Sequence, residues 1–306
     1  MQKQKVIVIG GPTASGKTSL SIELAKKING EIISADSMQI YKDMNIGTAK
    51  PEKEEMQGIK HYMIDFISPE ERYSVADYKT QVKKKIKEIL EKGKIPIVVG
   101  GTGLYIETLI YEIEFFSIET DLEYRKELEK ISEEKGLEYL YNKAQEIDKT
   151  AMEKISANDK KRILRVLELY HETGKTKTQL DKESRKEPEY DYKLFAIDMD
   201  RSILYDRINK RVDIMLEKGL VQEVKNICEK YNKFPTAMQG LGYKEVVEYL
   251  EGQVTYEEMI EKIKTESRRY AKRQLTWFRK YENLTWLNGL ESTDKNIDII
   301  INKYNN

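Results

Sequence analysis

The sequence predicts an α/β fold with a mostly parallel sheet, built on a phosphate-binding loop (P-loop) core of the nucleoside-triphosphatase-like kind and interrupted by a helical insertion. Three observations carry this reading. The apolar run KVIVIG at 5–10 leads directly into GPTASGKT at 11–18 and then into an amphipathic pattern, the strand–loop–helix order such a loop requires. Further apolar runs at 31–35 and 95–99 alternate with helical periodicity, which implies parallel strands covered on both faces. From about 115 to 190 the strand signals stop and only helical spacings continue.

Each element has its own signal. After the glycine loop, Leu20, Leu24 and Ile28 recur every four residues on a helix that Asn29-Gly30 can end, and EIISA follows as a second strand. Val75, Tyr78, Val82, Ile86 and Ile89 mark another helix, Gly93 a turn, and IPIVV a buried strand ending at Gly100-Gly101. In the insertion, Leu122, Leu128 and Ile131, then Leu137, Leu140 and Ala144, then Ile163, Val166, Leu167 and Tyr170 repeat at helical spacings. Gly136 and Gly174 serve there as stops, and Asn158 or Asp159 as a cap. A strand at 194–197 precedes a helix through Leu204, Ile208, Val212 and Leu216, and a long helix runs from about 256 to 281. The expected organisation is therefore a first part of the catalytic core at 1–114, the insertion at 115–190, and the remainder of the core with C-terminal helices at 191–306.

Composition narrows the function. Lys+Arg and Asp+Glu are equal at 53 each, so no global basic field announces a nucleic-acid binder and any such surface must be local. One cysteine, Cys228, and two histidines, His61 and His171, exclude a disulfide framework and a zinc site. The first apolar run is too short for a signal-peptide core, and nowhere do about 18 apolar residues run together, so a cytoplasmic protein away from the membrane is expected. The 20 tyrosines accompany a general richness in Lys, Ile, Glu and Asn and carry no individual functional weight.

Gly11, Gly16, Lys17 and Thr18 satisfy GxxxxGK[ST]. The glycines let backbone N–H groups converge on an anion, Lys17 brings a point charge to a terminal phosphate, and the Thr18 hydroxyl can ligate Mg²⁺. A triphosphatase ordinarily adds an Asp at the end of a second buried strand to organise the metal. The strand at 95–99 ends instead in Gly100-Gly101-Thr102-Gly103, and the carboxylate follows the other strand, at Asp36. Both positions lie at the carboxyl edge of a parallel sheet, where ligands bind. Asp36 is then either a metal-shell ligand in an ordinary kinase or a general base facing an acceptor, and position alone does not separate the two.

Two local patches break the overall neutrality. Seven Lys or Arg fall between Lys264 and Lys280 against Glu266 alone, with Ile263, Tyr270 and Trp277 as the packing stripe of that helix. The second patch, NDKKRILR at 158–165, opens a helix of the insertion. A charge run is ordinarily a solvated face, but two on different elements strengthen the case for a polyanion. Arg207 and Arg211, four apart, either reach into a cleft, where paired guanidinium donors suit phosphate, or pair on the helix surface with neighbours such as Asp206.

Together, GPTASGKT, SADSMQIYKDMNIGTAKP at 34–51, VVGGTGLYI at 98–106, NDKKRILRVLE at 158–168 and RQLTWFR at 273–279 resemble the bacterial tRNA dimethylallyltransferases, or isopentenyl-tRNA transferases, from near residue 5 to about 288. The resemblance implies that the loop Gly11, Pro12, Thr13, Ala14, Ser15, Gly16, Lys17 and Thr18 holds the diphosphate of dimethylallyl diphosphate with Mg²⁺ at Thr18, and that N6 of the adenosine 3′ of the anticodon attacks the allylic carbon. It implies Asp36 as general base, Thr102 as the residue that orients the adenine amine, and Lys17 and Arg211 as stabilisers of the leaving diphosphate. It further implies contact with the tRNA anticodon stem-loop through Asp36, Ser37, Met38, Gln39, Thr102, Arg125, Lys161, Arg162, Ile163, Leu164, Arg165, Gly240, Leu241, Gly242, Tyr243, Lys244 and Arg273. The chain departs from the family pattern in reading Lys160-Lys161-Arg162 where one polar residue precedes the first arginine, and it lacks the Cys/His finger of some eukaryotic relatives. A monomer is expected. The competing readings are an ATP-using P-loop small-molecule kinase and, more distantly, a noncatalytic RNA-binding module.

Overall fold

The structure, a computed structural model, describes residues 3–115 and 121–306, so 116–120 of the expected insertion lie outside the described residues. The chain divides into two compact units, one drawn from the segments up to Ile110 and from Glu189 onward, the other spanning Tyr111–Pro188.

The first unit is a parallel α/β sheet. Strands β1 (Lys5–Gly10), β2 (Gly30–Ser34), β3 (His61–Tyr62), β4 (Ile95–Val99), β5 (Asp191–Asp198) and β6 (Thr285–Asn288) pair in the order β3-β2-β4-β1-β5-β6, every pairing parallel. β1 lies inside the sheet and reads as continuous Val/Ile because both faces are covered: Val6, Ile7, Val8 and Ile9 are fully buried. The register sets Ile9 and Ser34 each opposite Val99, so the three strands end level. Their loops therefore emerge side by side. The helix Lys17–Ile28 buries Leu20 and Leu24 against the sheet and stops at Asn29 in the left-handed conformation. A second apolar cluster joins Ile40, Tyr41 and Met44 to Val212, Leu220, Val224, Tyr243 and Ile263 from four helices.

The second unit is helical. Helices Leu122–Lys135, Leu137–Ile147, Lys149–Met152 and Lys160–Thr173 gather a core of Leu128, Leu140, Ala144, Met152, Ile155, Ile163, Leu164, Val166 and Leu167, and the helix Lys177–Ser184 follows. Caps set the helix starts: the Asp121 carboxylate accepts from Glu123 N and Tyr124 N, and Asp159 accepts from Arg162 N at 3.1 Å. Buried Asp148 accepts from Ala151 N, Thr178 N and Thr178 Oγ1, joining two helices through one carboxylate.

This core corrects part of the basic-patch reading. Ile163 and Leu164 are packing residues, 0% and 2% exposed, because the 3.6-residue period that puts Lys161 and Arg162 outside turns the next two side chains inward. Arg125 and Arg165 sit on the same helix pair but flank buried Glu168, each 3.4 Å from its carboxylate, and Arg165 also approaches Glu172 at 3.8 Å. Part of the positive charge thus neutralises the unit's own carboxylates. Ile163→Ala is expected to lower stability by about 2–5 kcal/mol through the cavity it leaves. Urea unfolding followed by a probe in the helical unit checks this, and an unmoved midpoint would return Ile163 to the surface.

Candidate functional site

The phosphate loop is shaped by residues that tolerate positive φ. Gly11 (φ +138°) passes so close to β5 that a Cβ there would lie 3.1 Å from the Ile197 carbonyl oxygen, and Gly16 (φ +91°) hands the chain into the helix Lys17–Ile28. The loop ends at the positive end of that helix's dipole, an anion-binding arrangement. Ser15 Oγ is buried without a hydrogen-bond partner. The Lys17 ammonium donates to Pro12 O at 2.6 Å. Burial, reinforced by the Arg211 charge and opposed by Asp36, brings its pKa down to about 7.

Level strand ends place the next two loops against this one. Ala35 N donates to Val99 O, Gly100 N to Ile9 O and Thr102 N to Ala35 O. A Cβ on Gly100 would lie 2.1 Å from the Ala35 carbonyl oxygen, so only glycine permits this approach. The result joins Asp36 and Thr102, distant in sequence, into one constellation. Asp36 Oδ1 accepts from Met38 N at 2.8 Å and Gln39 N at 3.3 Å, which fixes the carboxylate while committing only one of its oxygens. Thr102 Oγ1 accepts from Ser37 N at 3.1 Å and faces Ser37 Oγ at 3.4 Å.

Two further residues come from the helix Tyr256–Phe278. Buried Gln274 accepts from Thr13 N at 2.9 Å and donates to Gly101 O at 3.0 Å, tying the phosphate loop to the loop after β4. One turn earlier, Tyr270 is 38% exposed, but its hydroxyl end lies within hydrogen-bonding range of Thr102 and Gln274; withdrawal of that hydroxyl from water, then the Asp36 charge, pushes its pKa up to about 12. The sequence reading assigned Tyr270 to the packing stripe and passed over Gln274 within RQLTWFR. The available signal was a polar residue four positions after Tyr270 on the helix face otherwise destined for the core.

These loops open on a cavity of about 850 Å³. Lys17, Arg211 and Arg273 supply positive charge to its lining, Asp36 a carboxylate, and Ile208, Val212 and Met215 an apolar stretch. Arg211 comes from the helix Arg201–Glu217, and burial lowers its pKa with Asp36 and Glu55 opposing. Arg207, one turn before, is exposed and does not line the cavity. Met38, Gln39, Gly240, Gly242 and Lys244 reach the lining too, with Met38 packed on Gly240 where a Cβ would stand 3.0 Å from its sulfur. Tyr243 has a different position from the one its motif implied. It borders the cavity, but its side chain is almost wholly buried and its hydroxyl donates to Glu223 at 2.6 Å, so the phenol is committed to the interior.

The oxygens present suit Mg²⁺. Exposed Thr18 lines the same cavity as the Asp36 carboxylate. One hydroxyl is a sparse protein donor set, matching an ion that keeps several waters and takes its other ligands from substrate phosphates.

Residues 39–281 match the family described as IPP transferase. A tRNA dimethylallyltransferase of Acetivibrio thermocellus is 59% identical over 285 residues, covering 92% of this chain and 91% of that protein. Among solved structures, the full-length tRNA isopentenylpyrophosphate transferase of Bacillus halodurans is 42% identical with a TM-score of 0.75, covering 99% of this chain and 97% of that one. A eukaryotic dimethylallyltransferase acting on tRNA is 34% identical with a TM-score of 0.81, covering 98% and 80%.

The lowered Lys17 pKa is directly measurable. In protein with ¹³C-methylated lysines, one resonance should titrate near pH 7, vanish in Lys17→Met, and move to higher pKa with inorganic pyrophosphate, whose charge favours the ammonium. A Lys17 signal titrating with the surface lysines would contradict the burial argument.

Proposed function

This chain belongs to the IPP transferase family, the tRNA dimethylallyltransferases, and we propose that it transfers a dimethylallyl group from dimethylallyl diphosphate to N6 of the adenosine immediately 3′ of the anticodon in tRNA, releasing diphosphate. The observation that carries the reading is the composition of one cavity: an anion cradle with Lys17 and Arg211, an apolar stretch, and the Asp36 carboxylate on the same lining. A kinase would want its metal-organising Asp after β4, where this chain has Gly100-Gly101-Thr102.

In the proposed reaction the N6–C1 bond forms as the C1–O bond to diphosphate breaks, the oxygen leaving with the electron pair. An adenine amine is a very weak acid, so its proton departs with or after bond formation and the base needs geometry rather than a raised pKa. Asp36, held through Oδ1, offers Oδ2 for that proton. Thr102, with its hydroxyl held beside Ser37, orients the amine. Lys17, the loop N–H groups and Arg211 meet the charge that grows on the leaving group, the fixed electrostatics that act most strongly in the transition state. Thr18 would hold Mg²⁺, which when bound would supply further neutralisation of that charge. The adenine must leave its stack to reach the cavity, at a cost of a few kcal/mol. Ser37, Met38, Gln39, Gly242, Lys244 and Arg273 on the first unit, and Lys161 and Arg162 on the second, are the proposed tRNA contacts; Arg125 and Arg165 are proposed with them as hydrogen-bond donors, their charge being met by Glu129, Glu168 and Glu172.

Purified protein, Mg²⁺, radiolabelled dimethylallyl diphosphate and unmodified tRNA should yield labelled tRNA and free pyrophosphate, with no consumption of ATP in a parallel assay. ATP turnover without label would install the kinase reading. Asp36→Asn should lower the single-turnover rate by about 10²–10⁴-fold, the usual worth of a general base, with tRNA affinity little changed. Lost affinity with normal turnover of bound complexes would refute the assignment. Lys161→Ala with Arg162→Ala should weaken tRNA binding and shallow the slope of log K against log salt by about one to two. An unaltered slope would take this patch out of the interface.

A further inference from the structure

We infer that Glu223 is a positioning residue for the reaction, holding the segment 45–50 that walls the cavity and, through it, the turn that carries Asp36. Glu223 lies in the first turn of the helix Leu220–Lys230 and does not line the cavity itself. Its carboxylate accepts four hydrogen bonds: Oε2 from Asn45 N at 3.0 Å and Ile46 N at 2.8 Å, Oε1 from Gly47 N at 3.2 Å and from the Tyr243 hydroxyl at 2.6 Å. Three consecutive backbone N–H groups converging on one carboxylate form the kind of anion nest that loops usually offer to a ligand, here filled by a side chain of the same protein.

The hold transmits inward by short steps. Gly47 packs so closely on the Tyr243 ring that a Cβ would lie 2.4 Å from it, so the segment is clamped between ring and carboxylate. On its other side the carbonyls of Thr48 and Ala49 accept from Gln39 Nε2 at 3.2 and 3.3 Å, and Gln39 Oε1 accepts from Ser34 Oγ at 3.1 Å. Gln39 N is one of the two donors that fix Asp36 Oδ1. Glu223 thus reaches the Asp36 carboxylate through Gly47, Thr48 and Gln39 and stays outside the cavity lining.

Glu223→Ala removes all four bonds. Glu223→Gln keeps an acceptor for Asn45 and Ile46 but opposes an amide N–H₂ to Gly47 N–H, so it retains part of the hold. The kcat arm of the test rests on the proposed function; an amide-exchange arm does not. With tRNA and radiolabelled dimethylallyl diphosphate, kcat should fall in the order wild type, Gln, Ala, by about 10²-fold for Ala, the scale of a displacement near 1 Å, while KM for tRNA stays within about threefold. Exchange of the amides of Asn45, Ile46 and Gly47 should quicken at least about tenfold, with those of Ile7 and Ile9 unmoved. A kcat within about twofold of wild type in Glu223→Ala, unchanged exchange at 45–47, or acceleration shared by the β1 amides would each overturn the inference. If the wild-type protein labels no tRNA, the proposed function fails and exchange at 45–47 alone decides whether Glu223 holds the segment.

Discussion

The close approach of Gly100 to the Ala35 carbonyl is the contact on which the site depends. It is possible because both residues follow strands that end level, each opposite the end of its parallel neighbour, and because a glycine stands where any Cβ would collide. From it follows the pairing of Asp36 with Thr102 across more than sixty residues of chain. Gln274 then closes the assembly from a third direction, since its one amide satisfies a donor of the phosphate loop and an acceptor of the loop after β4. A planar amide bridging two backbones fixes their separation as well as their hydrogen bonds. The geometry of the candidate site is therefore set by strand ends and backbone contacts, and flexible side chains enter only at the last step.

The cradle concentrates like charge. Lys17 and Arg211 are both partly withdrawn from water and repel each other, with Asp36 as partial compensation. Because the folded pKa of Lys17 lies below its ordinary value of 10.5, its protonated form burdens the fold fully below about pH 7, and the burden lifts as pH rises from there toward 10.5. A polyanion removes the same burden at any of these pH values by restoring the reason for the charge. Such like charge brought together at a cost to stability is the common situation at functional sites. Asp36 takes part in this balance as a counter-charge to both.

The helical unit shows the opposite use of charge. Glu168 is buried between Arg125 and Arg165, so two of its arginines serve the unit's interior while Lys161 and Arg162 stand on the outside of the same helix. Counting basic residues along 158–165 therefore overstates the free positive surface. Removing either arginine would leave a buried carboxylate less compensated, which makes such a substitution a change in folding as well as in binding.

Sequence alone determined the parts of this protein whose signals are local. GPTASGKT after an apolar run specifies an anion loop, Leu20 and Leu24 the covering helix, the absence of strand patterns after 115 a helical segment, and a handful of motifs the family. Tertiary structure decided what depends on the far end of a contact. Ile163 and Leu164 share a basic-looking stretch with Lys161 and Arg162, and only the packing of the unit tells core from surface. Tyr243 looks exposed in a glycine-rich motif but is buried on Gly47 and Glu223. Gln274, Tyr270 and Glu223 act across 173, 168 and up to 178 residues of chain, on Gly101, Thr102 and Asn45, and at such separations no periodicity or spacing rule relates the partners. Local propensity is written in neighbours along the chain, whereas a site is made by neighbours in space, and the parallel sheet is what converts one into the other.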